Sequence, residues 1–198
     1  MYEFKFTMDW LCDEELEAFD DHDAAIKHFR LVADFAKDEE NIEKECATLT
    51  GRLFNCTKVE VDFWSFFDEE DPDDADYVEL FGRDNGYSPE VEEIIGSDIP
   101  PAKIILFHEL VVKRGHRGKG LGLKMLKDAI GIFESKVDFF ALIPVPLQFR
   151  KRNNPDYVRE DFKAQDEESA EKKLVSLYES VGFVHTGLDT PIMIRSCI

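Results

Sequence analysis

Residues Leu110 to Gly122 read LVVKRGHRGKGLG and follow directly on a strand-forming run, Ile104 to Phe107. An apolar strand that breaks into a basic, glycine-dense turn and then opens an amphipathic helix is suited to holding a phosphate. The N–H groups of such a turn point outward, the helix N-terminus adds partial positive charge, and the glycines let a ligand come close. Working outward, Ile104 to Val112 is the clearest strand. Leu121 to Ser135 is the clearest helix, with Leu121, Met125, Leu126, Ala129, Ile130 and Phe133 forming one apolar stripe. Val137 to Val145 is the next strand, continuously apolar from Phe139 to Ile143 as a buried strand is. A strand, a helix and a further strand in this order make a right-handed crossover, so the two strands are expected to be parallel.

The turn stands out against its background. The chain of 198 residues carries 43 acidic and 24 basic residues, a formal net charge of −19. Lys113, Arg114, Arg117, Lys119, Lys124 and Lys127 are nonetheless all basic, and no acidic residue lies between Glu109 and Asp128. Beyond a Debye length of about 8 Å the global charge is largely screened, so the local patch decides which anion docks. The global charge argues against a nucleic-acid binder, which needs excess Lys and Arg. It is compatible with a cationic partner, or with a plain demand for solubility.

The length suits one domain, residues 1–198, with a substantial core. No apolar run is long enough to span a membrane. The first residues include Asp9, Asp13, Glu14 and Glu15, unlike the basic-then-apolar start of a signal peptide, so a cytoplasmic location is expected. Cys12, Cys46, Cys56 and Cys197 have no zinc or redox spacing, the five histidines no metal-ligand spacing, and neither a metal nor a disulfide is expected.

Elsewhere the pattern predicts a short strand over Glu3 to Thr7 and helix from Asp13 onward. Ile26, Phe29, Ala33 and Ala36 recur at helical spacing, and a second helical stretch covers Ile42 to Leu53. Thr57 to Phe67 alternates as a strand, and Tyr77 to Phe81 is a candidate for another. Asp68 to Asp76 is an almost continuously acidic loop whose spacing does not fit an EF-hand. Ser88 caps a short helix to Ile95 with Pro89 at its first position. Leu147 to Gln165 is an insertion or long loop. Asp166 caps a helix burying Ala170, Leu174, Leu177, Tyr178 and Val181, which Gly182 stops. Val184 to Gly187 and Ile192 to Ile198 close the chain as short strands.

Three phosphate-binding glycine patterns compete for the turn. A P-loop needs Ser or Thr after its GK, which is absent. A dinucleotide fingerprint needs GxGxxG, whereas Gly118, Gly120 and Gly122 give GxGxG. Arg117, Gly120 and Gly122 spell Arg-x-x-Gly-x-Gly, which fits the third. With this motif the chain resembles the GNAT superfamily of acyl-CoA N-acyltransferases. Leu110 to Val112 matches the Leu-x-Val-like segment before the motif, and Leu177-Tyr178-Glu179-Ser180-Val181-Gly182-Phe183 matches the family's Leu-Tyr-x-x-x-Gly-Phe helix end. The resemblance covers residues 104–187 and leaves residues 1–103 as an unaligned acceptor-side half.

The resemblance implies an α/β fold of the GNAT type: a central mixed sheet flanked by helices, with strands four and five parallel and splayed. It implies acetyl-CoA as co-substrate. Pantetheine would pair with the backbone of Leu110, Val111 and Val112, and pyrophosphate would meet N–H groups over Arg117, Gly118, Lys119, Gly120, Leu121 and Gly122, with Arg114 and Lys119 as side-chain helpers. It implies that Tyr178 protonates the leaving thiolate. For the base, alternation puts Leu106 and His108 on one face of the strand and Phe107 and Glu109 on the other. His108 falls where some family members carry a histidine or glutamate base and is the first candidate; Glu109 is the second, because the family's fourth strand often carries a bulge that shifts facing. The asparagine by which many members hold CoA has no counterpart; Lys172 or Lys173 is the candidate replacement. The expected reaction is acetyl transfer to a primary amine, cationic by the charge argument, on a small molecule or a peptide, with no role for nucleic acid or membrane and with a homodimer left open. The alternative is a non-catalytic acyl-CoA-binding regulatory or interaction protein.

Overall fold

The computed structural model describes residues 3–11, 25–36, 42–69, 75–96, 99–150 and 166–198. Its strands are β1 (Glu3–Leu11), β2 (Ile26–Ala36), β3 (Ile42–Asn55), β4 (Lys103–Val112), β5 (Phe139–Leu142), β6 (Val184–His185) and β7 (Met193–Ser196). They form one mixed sheet in the order β1-β2-β3-β4-β5-β7-β6. Among the described residues only β4 and β5 run parallel, joined by helix α3 (Leu121–Phe133) as the crossover requires. Every other neighbouring pair is antiparallel.

The helices cover both faces of this sheet. On one face α3 inserts its whole apolar stripe, from Leu121 to Phe133, against Phe29, Leu31, Leu49, Ile105 and Phe107. On the other, α1 (Phe63–Glu69), a 3-10 helix (Ala75–Leu80) and α2 (Pro89–Ile95) pack a phenylalanine-rich cluster onto Phe54, Ile104 and Leu106. α4 (Leu147–Arg150) follows β5, and α5 (Glu167–Glu179) packs Val175 and Tyr178 against the first cluster. The Asp166 carboxylate caps α5, accepting from Ser169 N at 2.8 Å and Ser169 Oγ at 3.0 Å. Ser88 takes the cap position of α2 with Pro89 following, but its hydroxyl makes no capping bond. Gly182, at φ 90°, ends the turn after α5.

The N-terminal half departs from the sequence expectation. The two predicted helices at 26–36 and 42–53 are the long strands β2 and β3. Ile26 and Phe29, which helical spacing puts on one face, belong to opposite faces of the sheet, Ile26 with the Phe54 cluster and Phe29 with Phe133. Phe29, Leu31 and Ala33 supply the period of two that the 3.6-residue match obscured. The predicted strand over Thr57 to Phe67 is instead a 3-10 turn, Cys56–Lys58, and α1. Asp62 opens α1 by accepting from Ser65 N at 2.9 Å and Ser65 Oγ at 2.8 Å. Tyr77 to Phe81 is 3-10 helix and a single bridge, Phe81 to Tyr87, rather than a strand. The predicted strand at Glu3 runs on to Leu11. The predicted helix over 13–24, most of the acidic loop (70–74) and most of the insertion (151–165) lie outside the described residues.

Candidate active site

The site begins where β4 and β5 part. Their parallel pairing runs from Ile104–Phe139 to Phe107–Leu142 and stops. Beyond Leu142 the chain reads Ile143-Pro144-Val145-Pro146, and a proline has no N–H to continue a ladder. β4 itself continues to Val112, still paired with β3 through Leu110–Leu49, Val111–Thr48 and Val112–Ala47. Among the described residues its outer edge therefore faces a gap rather than a strand. The gap opens into a cleft of about 990 Å³.

At the same point β4 bulges. Thr50 stands opposite Glu109 and Gly51 opposite Phe107, which leaves His108 as the extra residue. Phe107 lies in the α3-side core, and so do Leu110 and Val112. Without the extra residue, alternation would put Leu110 on the opposite face from Phe107. His108 contacts the Tyr77 ring on the far side of the sheet, with ring centroids 6.2 Å apart. Alternation back from Leu110 gives Glu109 that side too. The expectation that His108 and Glu109 face opposite ways is thus corrected: the bulge turns both toward one side, and both line the cleft.

The glycine turn forms the next wall. Gly118 and Gly120 have φ of 72° and 76°, a left-handed conformation that glycine adopts without strain. Gly120 caps α3, and the first hydrogen bond into the helix runs from Lys124 N to Gly120 O. The amides of Leu121, Gly122 and Leu123 precede that ladder, as the first turn of any helix does. Among the described residues, none of the amides from Gly118 to Leu123 donates to a protein acceptor. The Arg117 amide does donate, to Arg114 O at 3.4 Å, so the run of amides without a protein acceptor starts at Gly118. A Cβ at Gly122 would lie 3.4 Å from both Leu110 Cδ2 and Val112 Cγ2, which shows how closely α3 sits on β4.

Side chains around the turn divide between ligand wall and scaffold. Arg117 Nε donates to Val112 O at 2.7 Å, tying the turn to the end of β4 while the residue lines the cleft. Lys119 is exposed, and its Nζ donates back to Gly115 O at 2.8 Å; it does not line the cleft. Arg114 is exposed on the 3-10 turn. Neither Lys172 nor Lys173 lines the cleft. Lys172 points to solvent and pairs with Glu168 at 2.6 Å, whereas Glu167 and Glu171 face the cleft. With Leu174 and Tyr178 these two carboxylates make one stripe along α5, at the i, i+4, i+7 spacing of a helix face.

Tyr178 lies farther along that stripe, half-buried, its ring 6.1 Å from Phe183. Its hydroxyl has no hydrogen-bond partner among the described residues, and burial pushes its pKa up to about 12. A further wall of the cleft is formed by Asp76 and Tyr77 of the 3-10 helix and by Thr190 and Pro191 before β7. Nothing in the sequence pattern singled out this wall, because Tyr77 read as a strand residue.

One grouping escaped the spacing argument for metals. Glu43, Cys46 and His116 bring one ligand atom each within 4.8 Å of one another. His116 Nε2 lies 3.1 Å from Glu43 Oε2, and the buried Cys46 thiol donates to Glu43 O at 3.2 Å. These contacts hold the turn after β4 to the start of β3.

No protein-family model and no curated protein matches the chain. Among solved structures it is similar to NAA60 of Arabidopsis thaliana in complex with acetyl-CoA, with a TM-score of 0.41 and 10% identity over 97% of this chain and 98% of that one. It is also similar to AtaT complexed with acetyl-methionyl-tRNAfMet, with a TM-score of 0.40 and 11% identity over 97% of this chain and 95% of that one. At these scores the reaction and acceptor of this chain rest on its own site. In its two motifs and its splayed pair of parallel strands, the chain resembles the GNAT superfamily.

Proposed function

We propose that this protein transfers an acetyl group from acetyl-CoA to a primary amine. One observation carries the proposal: the cleft joins an amide cradle at a helix N-terminus, a strand edge with no neighbour, and a tyrosine hydroxyl with no partner among the described residues. The cradle suits a diphosphate, the edge of Leu110 to Val112 suits an amide-bearing arm lying as an added strand, and Tyr178 faces the space where such an arm would end. In this reading acetyl-CoA supplies the activated acyl group.

The protein then has three tasks. A primary amine of pKa about 10 is mostly ammonium at neutral pH and must lose a proton to become a nucleophile. His108 is the first acceptor for that proton and Glu109 the second, both delivered to the cleft by the bulge. The carbonyl oxygen, as it gains charge, needs a donor, and a backbone N–H on the unpaired edge of β4 can supply it. The departing sulfur is the task of Tyr178. Against a thiol pKa of about 8.5, full proton transfer from a phenol held at about 12 is uphill. Tyr178 therefore serves as a hydrogen-bond donor that stabilises the thiolate, and the proton arrives from the reacting ammonium or from water.

Charge along the cleft supports a cationic acceptor. Asp76 and Glu109 line the cleft, and so do Glu167 and Glu171. The test is release of free thiol from acetyl-CoA with a panel of mono-, di- and polyamines and lysine peptides. Turnover with the cationic members supports the proposal. CoA binding without thiol release from any amine would favour a non-catalytic acyl-CoA-binding role.

A further inference from the structure

We infer that Tyr77 is a positioning residue, and that the 3-10 helix Ala75–Leu80 is a strap that fixes the bulged segment of β4 against the acceptor end of the cleft; this rests on the acyl-transfer reading of that cleft. A bulged residue has no partner on the adjacent strand, so the ladder does not set its orientation. Something else must. Tyr77 is 3% exposed, and its hydroxyl donates to the carbonyl of Phe107, the residue directly before His108, at 3.3 Å. Its ring stands beside the His108 imidazole with an interplanar angle of 58°. A hydroxyl buried in an apolar cluster is costly unless bonded, and its acceptor here is the carbonyl that adjoins the bulge.

The same short helix is hooked at a second point. Two residues on, Glu79 accepts from Thr190 N at 3.0 Å and from Thr190 Oγ1 at 2.9 Å. Thr190 and Tyr77 both line the cleft. One hook thus holds the β4 wall and the other holds the loop before β7, so the strap sets the separation of the two walls. Tyr77 acts through Phe107 and His108, and the hydroxyl rather than the ring carries the role.

Tyr77→Phe keeps the ring in its cluster and removes the hook. Backbone hydrogen exchange over Phe107 to Leu110, CoA affinity, and kcat and KM for the amine are compared with wild type. Exchange there is expected to quicken about five- to tenfold, as the loss of one buried hydrogen bond implies. kcat is expected to fall by a similar factor, with the Kd for CoA changed less than about twofold. Glu79→Gln, which keeps one of two acceptor oxygens, gives a smaller rise in exchange at Thr190 and a higher KM for the amine. It serves as the second readout should Tyr77→Phe fold poorly. Exchange and kcat both unchanged in Tyr77→Phe, or exchange at Thr190 and amine KM both unchanged in Glu79→Gln, overturn the inference. If wild type releases no thiol with any amine, the acyl-transfer reading falls, and the exchange measurement still decides whether the strap holds the bulge.

Discussion

Gly51 of β3 stands opposite Phe107 of β4, and the backbone comes so close there that a Cβ on Gly51 would lie 2.6 Å from Leu106 O and 2.6 Å from the Phe29 ring. The bulge that turns His108 and Glu109 into the cleft begins at this approach, where the register shifts between Thr50 and Gly51. Neither a backbone oxygen nor a ring buried against Phe133 can retreat cheaply. Gly51→Ala should therefore cost about 2–3 kcal/mol of stability, the range for overpacking a well-filled core. Urea unfolding measures this, and a loss below about 0.5 kcal/mol, the usual range for surface changes, would show that the sheet yields.

Gly120 tests the cradle. A Cβ there meets nothing within 4 Å, so Gly120→Ala tests backbone strain alone, at a φ of 76°. That substitution should cost about 1 kcal/mol and weaken CoA modestly. Gly120→Glu adds a carboxylate among amides that await an anion, and should abolish CoA binding in calorimetry. Equal affinity in the two variants would move the phosphate elsewhere.

Tyr178→Phe should leave the Kd for CoA nearly unchanged and lower kcat by about tenfold, the worth of one hydrogen bond to a charged group. Steady-state kinetics with direct binding separates the two quantities, and normal turnover would remove Tyr178 from the mechanism.

The same residue has a signature in stability. Its pKa is raised to about 12 in the fold, above the ordinary value near 10. Between these values the folded chain keeps a proton that the unfolded chain has lost, so stability is complete below about pH 10 and declines as pH rises toward 12. Urea midpoints of wild type should fall relative to those of Tyr178→Phe across that window. Parallel curves would mean that the hydroxyl is not held in a low-dielectric site.

His108→Ala and Glu109→Gln distinguish the two base candidates. His108→Ala should lower kcat/KM for the amine by about 10²-fold, as for general-base loss, most at neutral to mildly alkaline pH, where an imidazole is unprotonated and the amine is still largely ammonium. If its pH–rate profile matches wild type while Glu109→Gln is impaired, the base is Glu109.

The C-terminal half was readable because its elements carry local signatures. The stripe of α3, the Asp166 cap and the apolar run Phe139 to Ile143 each need only a window of sequence. β2 and β3 were not readable in that way. Their side-chain spacing satisfies two periods, and only pairing with distant strands decides between them. At α1 a signal was present and outweighed: Asp62 with Ser65 three residues on is a helix start, but Val59, Val61 and Phe63 mimic strand alternation. The base candidates follow from the resemblance and from strand alternation, yet their common facing is set by the register of Thr50 and Gly51, residues whose spacing reads as helix. Tyr77 and Glu79 were missed because their roles exist only through contacts with Phe107 and Thr190.

The central claim is that the amides from Gly118 to Leu123 bind the diphosphate of CoA. Hydrogen exchange of these amides with and without CoA tests it most directly. Strong protection confined to this turn and to the outer edge of Leu110 to Val112 is the expected result. Exchange over both segments that saturating CoA leaves unaltered would contradict the account.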